Sequence, residues 1–285
     1  MTTNQQLSVV EVLEATTGGT RRHLHDVVTH LDPDRYRPMV VASTRRDEAF
    51  QTDVADLEAR GIPVFRLDMV RPISPCKDAW HLFKLWRLLR HLRPDVVHTH
   101  SAKAGVLGRL AAWLNGVPVI IHTPHHFPFE MDVSNPRKAV YLWLERLVAR
   151  ITDRLVCVCE AERAVALTNR VARPEQLVVI ENGIKLPAEL PDPQRRELRR
   201  QLGVEEGELA VGIVARLSPQ KGHACLLRAL ARLTDKSTRI KLIAVGDGEL
   251  AAELVGLAAR LGVDPQVQMV GHRDAPQDLY PAFDI

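Results

Sequence analysis

Arg216 and Lys221 stand five positions apart in Val214-Ala215-Arg216-Leu217-Ser218-Pro219-Gln220-Lys221-Gly222, directly after an apolar run of strand length. Ser218 is a favoured N-cap and Pro219 fits a first helical position, so both cations are expected beside a helix amino terminus. A guanidinium, an ammonium and a helix end together suit a diphosphate, above all a departing one. A solvated surface pair is the plain alternative. His122-Thr123-Pro124-His125-His126-Phe127-Pro128-Phe129 follows a second apolar run. A histidine in such a loop can hydrogen-bond a substrate hydroxyl or exchange a proton near neutral pH. Metal ligation is set aside, because His125 and His126 are neighbours and no carboxylate pattern accompanies them; loop packing is the remaining reading.

Three further segments are polar at the end of an apolar run. Gly18-Gly19 separates the first run from a helical pattern. Glycine there lets a ligand approach the backbone, and the helix start offers free N–H groups to an anion, although a tight turn is the simpler account. The pair is not a G-x-G-x-x-G dinucleotide fingerprint, which disfavours a dehydrogenase. Gly246-Asp247-Gly248 joins a strand to a helix and reads first as a turn. His98-Thr99-His100-Ser101-Ala102-Lys103-Ala104-Gly105 ends a strand, opens a helix and offers Ser101 and Lys103 to a polar ligand.

The elements that must hold these residues alternate. Expected strands at 7–13, 37–42, 64–67, 95–98, 118–122, 154–158 and 178–180 are separated by expected helices at 20–31, 49–60, 78–92, 103–115, 136–151 and 160–169. Continuous apolar strands alternating with helices mark a parallel sheet covered on both faces. The stretch 185–206 holds Lys185, Pro187, Pro191, Pro193 and several arginines, and reads as a linker leading into a short helix. Strands at 209–215, 240–245 and 267–270 then alternate with helices at 221–233, 249–261 and 275–282. The reading is α/β in two Rossmann-like domains, 1–184 and 207–285. The chain stops at Asp284-Ile285, where a fourth strand is expected, so the second domain is expected to be incomplete, with an open sheet edge.

Composition narrows the class. Of 285 residues, 46% are hydrophobic and 26% charged, enough for a substantial core, and the net charge of +3 with few aromatics argues against nucleic acid. Met1 to Gln6 lack the basic and apolar regions of a secretory signal. No apolar run is long enough for a membrane span, so a cytoplasmic location is expected. Helix 78–92 is amphipathic and basic, which suits either packing on a sheet or lying on an anionic membrane. Cys76, Cys157, Cys159 and Cys225 read as buried reduced thiols, with Cys157 and Cys159 on one face of a strand.

Taken in order, these segments resemble the retaining, two-domain glycosyltransferases of the GT-B fold, family 4, of the bacterial surface-polysaccharide type. Val97 to Arg109, His122 to Phe129, Val179 to Ile184, Arg216 with Lys221, and Gly246 to Glu249 carry the likeness, although the family often has glycine at the position of His126. The resemblance implies two domains facing a cleft and transfer from a nucleoside diphosphate sugar, a UDP-sugar being favoured over a GDP-sugar, with retention and without metal or other cofactor. It implies catalytic roles for His125, Arg216 and Lys221. Donor contacts fall to Gly18, Gly19, Asn182, Gly183, Gly246, Asp247, Gly248 and His272. His100, Ser101 and Lys103 lie on the acceptor side. A lipid-linked acceptor and peripheral contact with the inner membrane are among its implications. The family's glutamate pair, eight apart, falls beyond Ile285, because Glu181/Glu189 and Glu197/Glu205 precede Arg216. Impaired turnover is therefore expected of this chain. A sugar-nucleotide 2-epimerase and a non-enzymatic remnant are the alternatives.

Overall fold

The computed structural model of the protein describes residues 6–44, 49–69, 73–184, 189–233, 239–273 and 275–285. Its elements run β1 (Leu7–Leu13), α1 (Gly18–His30), β2 (Tyr36–Ala42), α2 (Ala49–Ala59), β3 (Val64–Arg66), α3 (Pro75–Leu92), β4 (Val96–His100), α4 (Ala102–Leu114), β5 (Val119–Thr123), α5 (Asn135–Ala149), β6 (Arg154–Cys157), α6 (Glu160–Thr168) and β7 (Leu177–Val179). There follow α7 (Asp192–Gln201), β8 (Leu209–Val214), α8 (His223–Arg232), β9 (Ile240–Val245), α9 (Ala251–Leu261) and β10 (Val267–Gly271). The chain divides into two compact units, Met1–Gly183 and Ile184–Ile285.

The first unit is built on a seven-stranded sheet of order β3-β2-β1-β4-β5-β6-β7, all of whose pairings are parallel. Strand alternation sorts the side chains of β1 cleanly. Val10 and Val12 join Leu85 and Leu89 of α3 and Ala104, Leu107 and Ala111 of α4 in one core layer. Leu13 packs on the opposite face with Leu24 and Val28 of α1 and Phe50, Val54 and Leu57 of α2. The strand order reverses between β1 and β4, the switch point where open α/β sheets leave a crevice at their carboxyl ends.

Helix α4 lies tight on β4 and β5 because two of its residues are glycines. A Cβ on Gly105 would stand 2.5 Å from His122 Cε1, and one on Gly108 would stand 2.5 Å from Thr99 Cγ2. The fully buried Arg109 of α4 donates to the Gly105 carbonyl (2.8 Å) and to Glu145 of α5 (2.8 Å), tying the two helices together.

The second unit has a parallel sheet of order β10-β9-β8. Leu227 and Leu230 of α8 and Leu254 and Ala258 of α9 cover one face. Leu202, Val204 and the 3-10 segment Pro276–Ala282 cover the other.

Lys185 and Pro187 of the expected linker lie outside the described residues, and the short helix it leads into is α7, part of the second unit. There Arg195 and Arg199 both clamp the Asp284 carboxylate at 2.7 and 2.8 Å. The second sheet has the three expected strands, and Asp284-Ile285, where a fourth strand is expected to begin, pair with β8. Ile285 accepts from Gly212 N–H (2.8 Å) and donates to Ala210 C=O (3.2 Å), a parallel-type pairing by the last residues. The cysteine expectations are corrected: only Cys157 is buried, and burial pushes its thiol up to about 12. Cys159 is not on the strand but caps α6, because β6 ends at Cys157.

Gly105→Ala should overpack the α4–β5 contact and destabilise the first unit by about 1–3 kcal/mol. Thermal denaturation followed by circular dichroism checks this; an unchanged midpoint would mean that His122 moves aside without cost.

Candidate functional site

Glu11 is the one charged residue of β1, and it is 1% exposed. The parallel register sets it opposite His98 of β4, across the switch point, on the face that α1 covers. Two residues on, His100 points to the same face. Glu11 Oε2 lies 2.6 Å from His100 Nε2 and 3.0 Å from His98 Nδ1. The other nitrogen of His98 meets Thr123 Oγ1 of β5 at 2.8 Å. Nδ1 of His100 meets Nε2 of His125 at 3.1 Å. His23 of α1 completes the group, with its ring edge-on to His125 at 4.7 Å and a hydrogen bond between it and the Asn182 side chain. His122, one residue before Thr123, falls on the opposite face against α4, where Thr99 holds it.

The electrostatics follow from burial. Burial opposes ionisation of Glu11, but the His98 ring and the hydrogen bonds from His100 and His98 outweigh it and hold the carboxyl well below its usual range. His100 is driven down to about 4, by burial first and then by His98, with the Glu11 bond pulling the other way. His125 is driven to about 2 by burial and by His100, His23 and His98. At neutral pH the site is therefore a buried carboxylate facing neutral His100 and His125 rings.

The backbone around this group is strained. Ser101, which caps α4, has φ 63° and ψ 174°; His125 has φ 57° and His126 φ 143°. These are conformations that glycine adopts readily and other residues rarely, and they concentrate at ligand-binding segments. Ser101 Oγ is buried without a hydrogen-bond partner. Gly18 (φ 61°) and Gly19 open α1 with nothing within 4 Å of an added Cβ, so the first turn of that helix stays accessible to a ligand.

The second unit gathers its polar loops at the carboxyl ends of β8, β9 and β10. Gly246 and Gly248 have no room for side chains: a Cβ on Gly248 would stand 2.5 Å from the Leu217 carbonyl oxygen, and Gly246 packs as closely on Ala215. Leu217 N–H donates to Asp247 C=O (3.0 Å), and Gly246 N–H to Gly271 C=O (2.9 Å). The three loops are thus laminated backbone on backbone. Arg216 is exposed beside them and pairs with Glu249 at 3.0 Å. Lys221 ends the 3-10 turn Pro219–Lys221 and is exposed, two residues before α8, and His272 is exposed after β10. Ser218 caps that 3-10 turn, without a side-chain cap bond, rather than the α-helix expected from 221.

Two expected roles are altered. His100 cannot meet an acceptor directly, because its ring is fully buried and both nitrogens are engaged within the protein. Lys103 is committed to Asp78 of α3 at 2.6 Å, which anchors α4 to α3. Glu11, His23 and His98 are the residues that sequence reading passed over. The available signals were a lone charge inside an apolar strand and two histidines two apart in β4.

Comparison with known proteins agrees with this layout. Residues 18–183 match the model of the glycosyl transferase 4-like domain, and residues 194–285 that of glycosyl transferases group 1. The chain belongs to the glycosyltransferases that carry the glycosyl transferase 4-like domain, and its fold is the α/β fold of the GT-B class. The UDP-Gal:alpha-D-GlcNAc-diphosphoundecaprenol alpha-1,3-galactosyltransferase of Escherichia coli is 32% identical, over 82% of this chain and 61% of that protein. A D-inositol 3-phosphate glycosyltransferase of Actinosynnema mirum is also 32% identical, over 62% of this chain and 45% of its own length. The chain thus spans about half to three fifths of these relatives. Among solved structures, Anabaena HepE in complex with UDP superposes with a TM-score of 0.77 at 24% identity, covering 98% of this chain and 72% of that one. The lipopolysaccharide outer core galactosyltransferase WaaB superposes with a TM-score of 0.66 at 15% identity, over 95% and 69%.

The buried histidines predict an acid-sensitive first unit. Between pH 6.5 and about 4 the unfolded chain protonates the His100 side chain while the folded one does not. Stability therefore falls with falling pH by about 1.4 kcal/mol per unit for that residue. Chemical denaturation at a series of pH values should show this loss, and His100→Gln should make its slope shallower, the depressed His125 and His122 rings keeping the rest. An equal slope in both proteins would remove His100 as its source.

Proposed function

We propose that the chain serves a retaining glycosyl transfer of the family 4 kind, from a nucleoside diphosphate sugar, UDP before GDP, to a lipid-linked acceptor in polysaccharide assembly. The observation that carries the reading is the laminated crest of the second unit, with Arg216 and Lys221 exposed beside glycine backbone. An exposed ion pair such as Arg216–Glu249 is worth little, so a diphosphate can take the guanidinium over from the carboxylate. Arg216 and Lys221 then neutralise charge that builds on the departing diphosphate. No metal is needed at the diphosphate in this reading, and no cofactor takes part. Gly246, Asp247, Gly248 and His272 contact the donor.

In the first unit, Gly18 and Gly19 offer the open start of α1, Asn182 beside His23 and Gly183 after it contact the donor, and His125 contacts the donor sugar near the reacting carbon. Ser101 takes the acceptor side. The names of the Escherichia coli relative and of the HepE complex support a lipid-diphosphate acceptor and a uridine carrier, respectively.

No helix among the described residues is long and apolar enough to cross a membrane. Peripheral contact with the inner face of the membrane is the proposed alternative. Trp80, Phe83 and Trp86 stack along α3 at 5.9 Å, with Lys84 and Arg90 over the indoles. Aromatic rings under basic groups suit an anionic lipid surface.

Calorimetric titration of the chain with UDP tests the donor site. Arg216→Ala and Lys221→Ala should each weaken UDP about 10- to 100-fold, the loss of a charge-assisted hydrogen bond. Unchanged affinity in both variants would sink the donor reading. With a UDP-sugar and a polyprenyl diphosphate acceptor, an inverted anomeric product would refute retention. A 2-epimer formed without acceptor would mark the epimerase instead.

A further inference from the structure

We infer that an arginine-lined concavity, at the end of the first sheet remote from the crevice, binds a phosphate group. The concavity has a volume of about 780 Å³, and Arg146, Arg150, Arg170 and Arg173 line it. Arg146 and Arg150 lie at the end of α5, just before β6, and Arg170 and Arg173 lie between α6 and β7. These strands pair in parallel, so this is their amino end, whereas His100 and His125 meet at the carboxyl ends of β4 and β5. The concavity therefore shares no residue with the donor or acceptor side, and the inference does not rest on the transferase reading.

The four guanidinium groups are not matched by carboxylates. Among the described residues Glu175 is the one acid that pairs with any of them, at 3.3 Å from Arg173. Glu145 of α5 is buried and committed to Arg109. Arg146 donates twice to the Asn169 carbonyl, at 3.0 and 2.8 Å, and so satisfies the end of α6. Capping does not account for Arg150 and Arg170, whose exposed side chains have neither an ion pair nor a hydrogen bond among the described residues. Arg170 also follows the C-cap Asn169 with φ 49°. Glycine usually fills that position, because a Cβ there is strained, and here it carries a cation to the concavity instead.

Like charges around one cleft focus the field and gather counter-ions. Guanidinium forks bind the oxygens of a phosphate two at a time. Four cations suit a group with more than one negative charge over several oxygens, which a phosphate offers and a single carboxylate does not. Leu167, Val171 and Pro174 add an apolar wall, and no aromatic ring lines the concavity to stack a nucleic-acid base. A free phosphate and the headgroup of an anionic phospholipid share this chemistry.

The test has two arms on the whole chain: calorimetric titration with pyrophosphate, and co-sedimentation with phosphatidylcholine vesicles with and without phosphatidic acid. Arg150→Ala and Arg170→Asn should each weaken binding about 10-fold, the loss of a charge-assisted hydrogen bond. Both side chains are exposed and asparagine tolerates the left-handed backbone, so both variants should fold, which circular dichroism checks. Arg216→Ala removes pyrophosphate bound at the second unit and should leave the component that depends on Arg150 and Arg170. Such a component with pyrophosphate alone marks a free anion as the ligand, and one with phosphatidic acid vesicles marks a headgroup. Absence of binding in both arms overturns the inference, as does binding that Arg150→Ala and Arg170→Asn leave unchanged. Vesicle binding that Trp80→Ala weakens and the two arginine variants do not would overturn it while leaving the membrane contact of α3 in place.

Discussion

The ionised carboxylate of Glu11 is the interaction on which the first unit depends. Removing a carboxylate from water costs several kcal/mol even after relaxation, on the order that a whole domain's stability allows. The cost is tolerable here because β4 brings two imidazoles to the same oxygen. That meeting requires the parallel register that sets Glu11 against His98, and the strand alternation that returns His100 to the same face. One carboxylate thereby fixes which nitrogen of His100 faces inward, and through it the position of His125. The positive-φ residues His125 and Ser101 stand at the two loop starts beside this network, where a well-determined surrounding can hold strained backbone.

The two units build polar ground from opposite materials. In the first, side chains from β1, β4, β5 and α1 converge, and burial depresses His100 and His125. In the second, glycines let three loops stack main chain on main chain, and the charged groups stand outside in water. The first arrangement is adjustable only at the expense of its neighbours, since Glu11, His98, His100 and His125 share hydrogen bonds. The second leaves Arg216, Lys221 and His272 at its rim and keeps side chains out of its floor at Gly246 and Gly248.

Much of the fold was legible in the sequence, for a physical reason. Parallel strands covered on both faces are mostly apolar, and the runs at β1, β5, β8 and β9 announced themselves that way. The loop residues after β5 and β8 were legible too, because strand ends are where such sheets expose polar groups. The histidine network was not. Glu11 and His100 are 89 residues apart, and nothing in local periodicity states that β4 rather than β2 or β5 brings its histidines to β1. Lys103 looked like a ligand because sequence does not reveal that Asp78 lies within reach.

The indoles seen along α3 have a practical corollary. All four tryptophans of the chain, Trp80, Trp86, Trp113 and Trp143, belong to the first unit, and the second has none. Intrinsic indole emission therefore originates wholly in the histidine-bearing unit. Set beside a whole-chain signal, it separates the loosening of one unit from that of the other without a label or a cut.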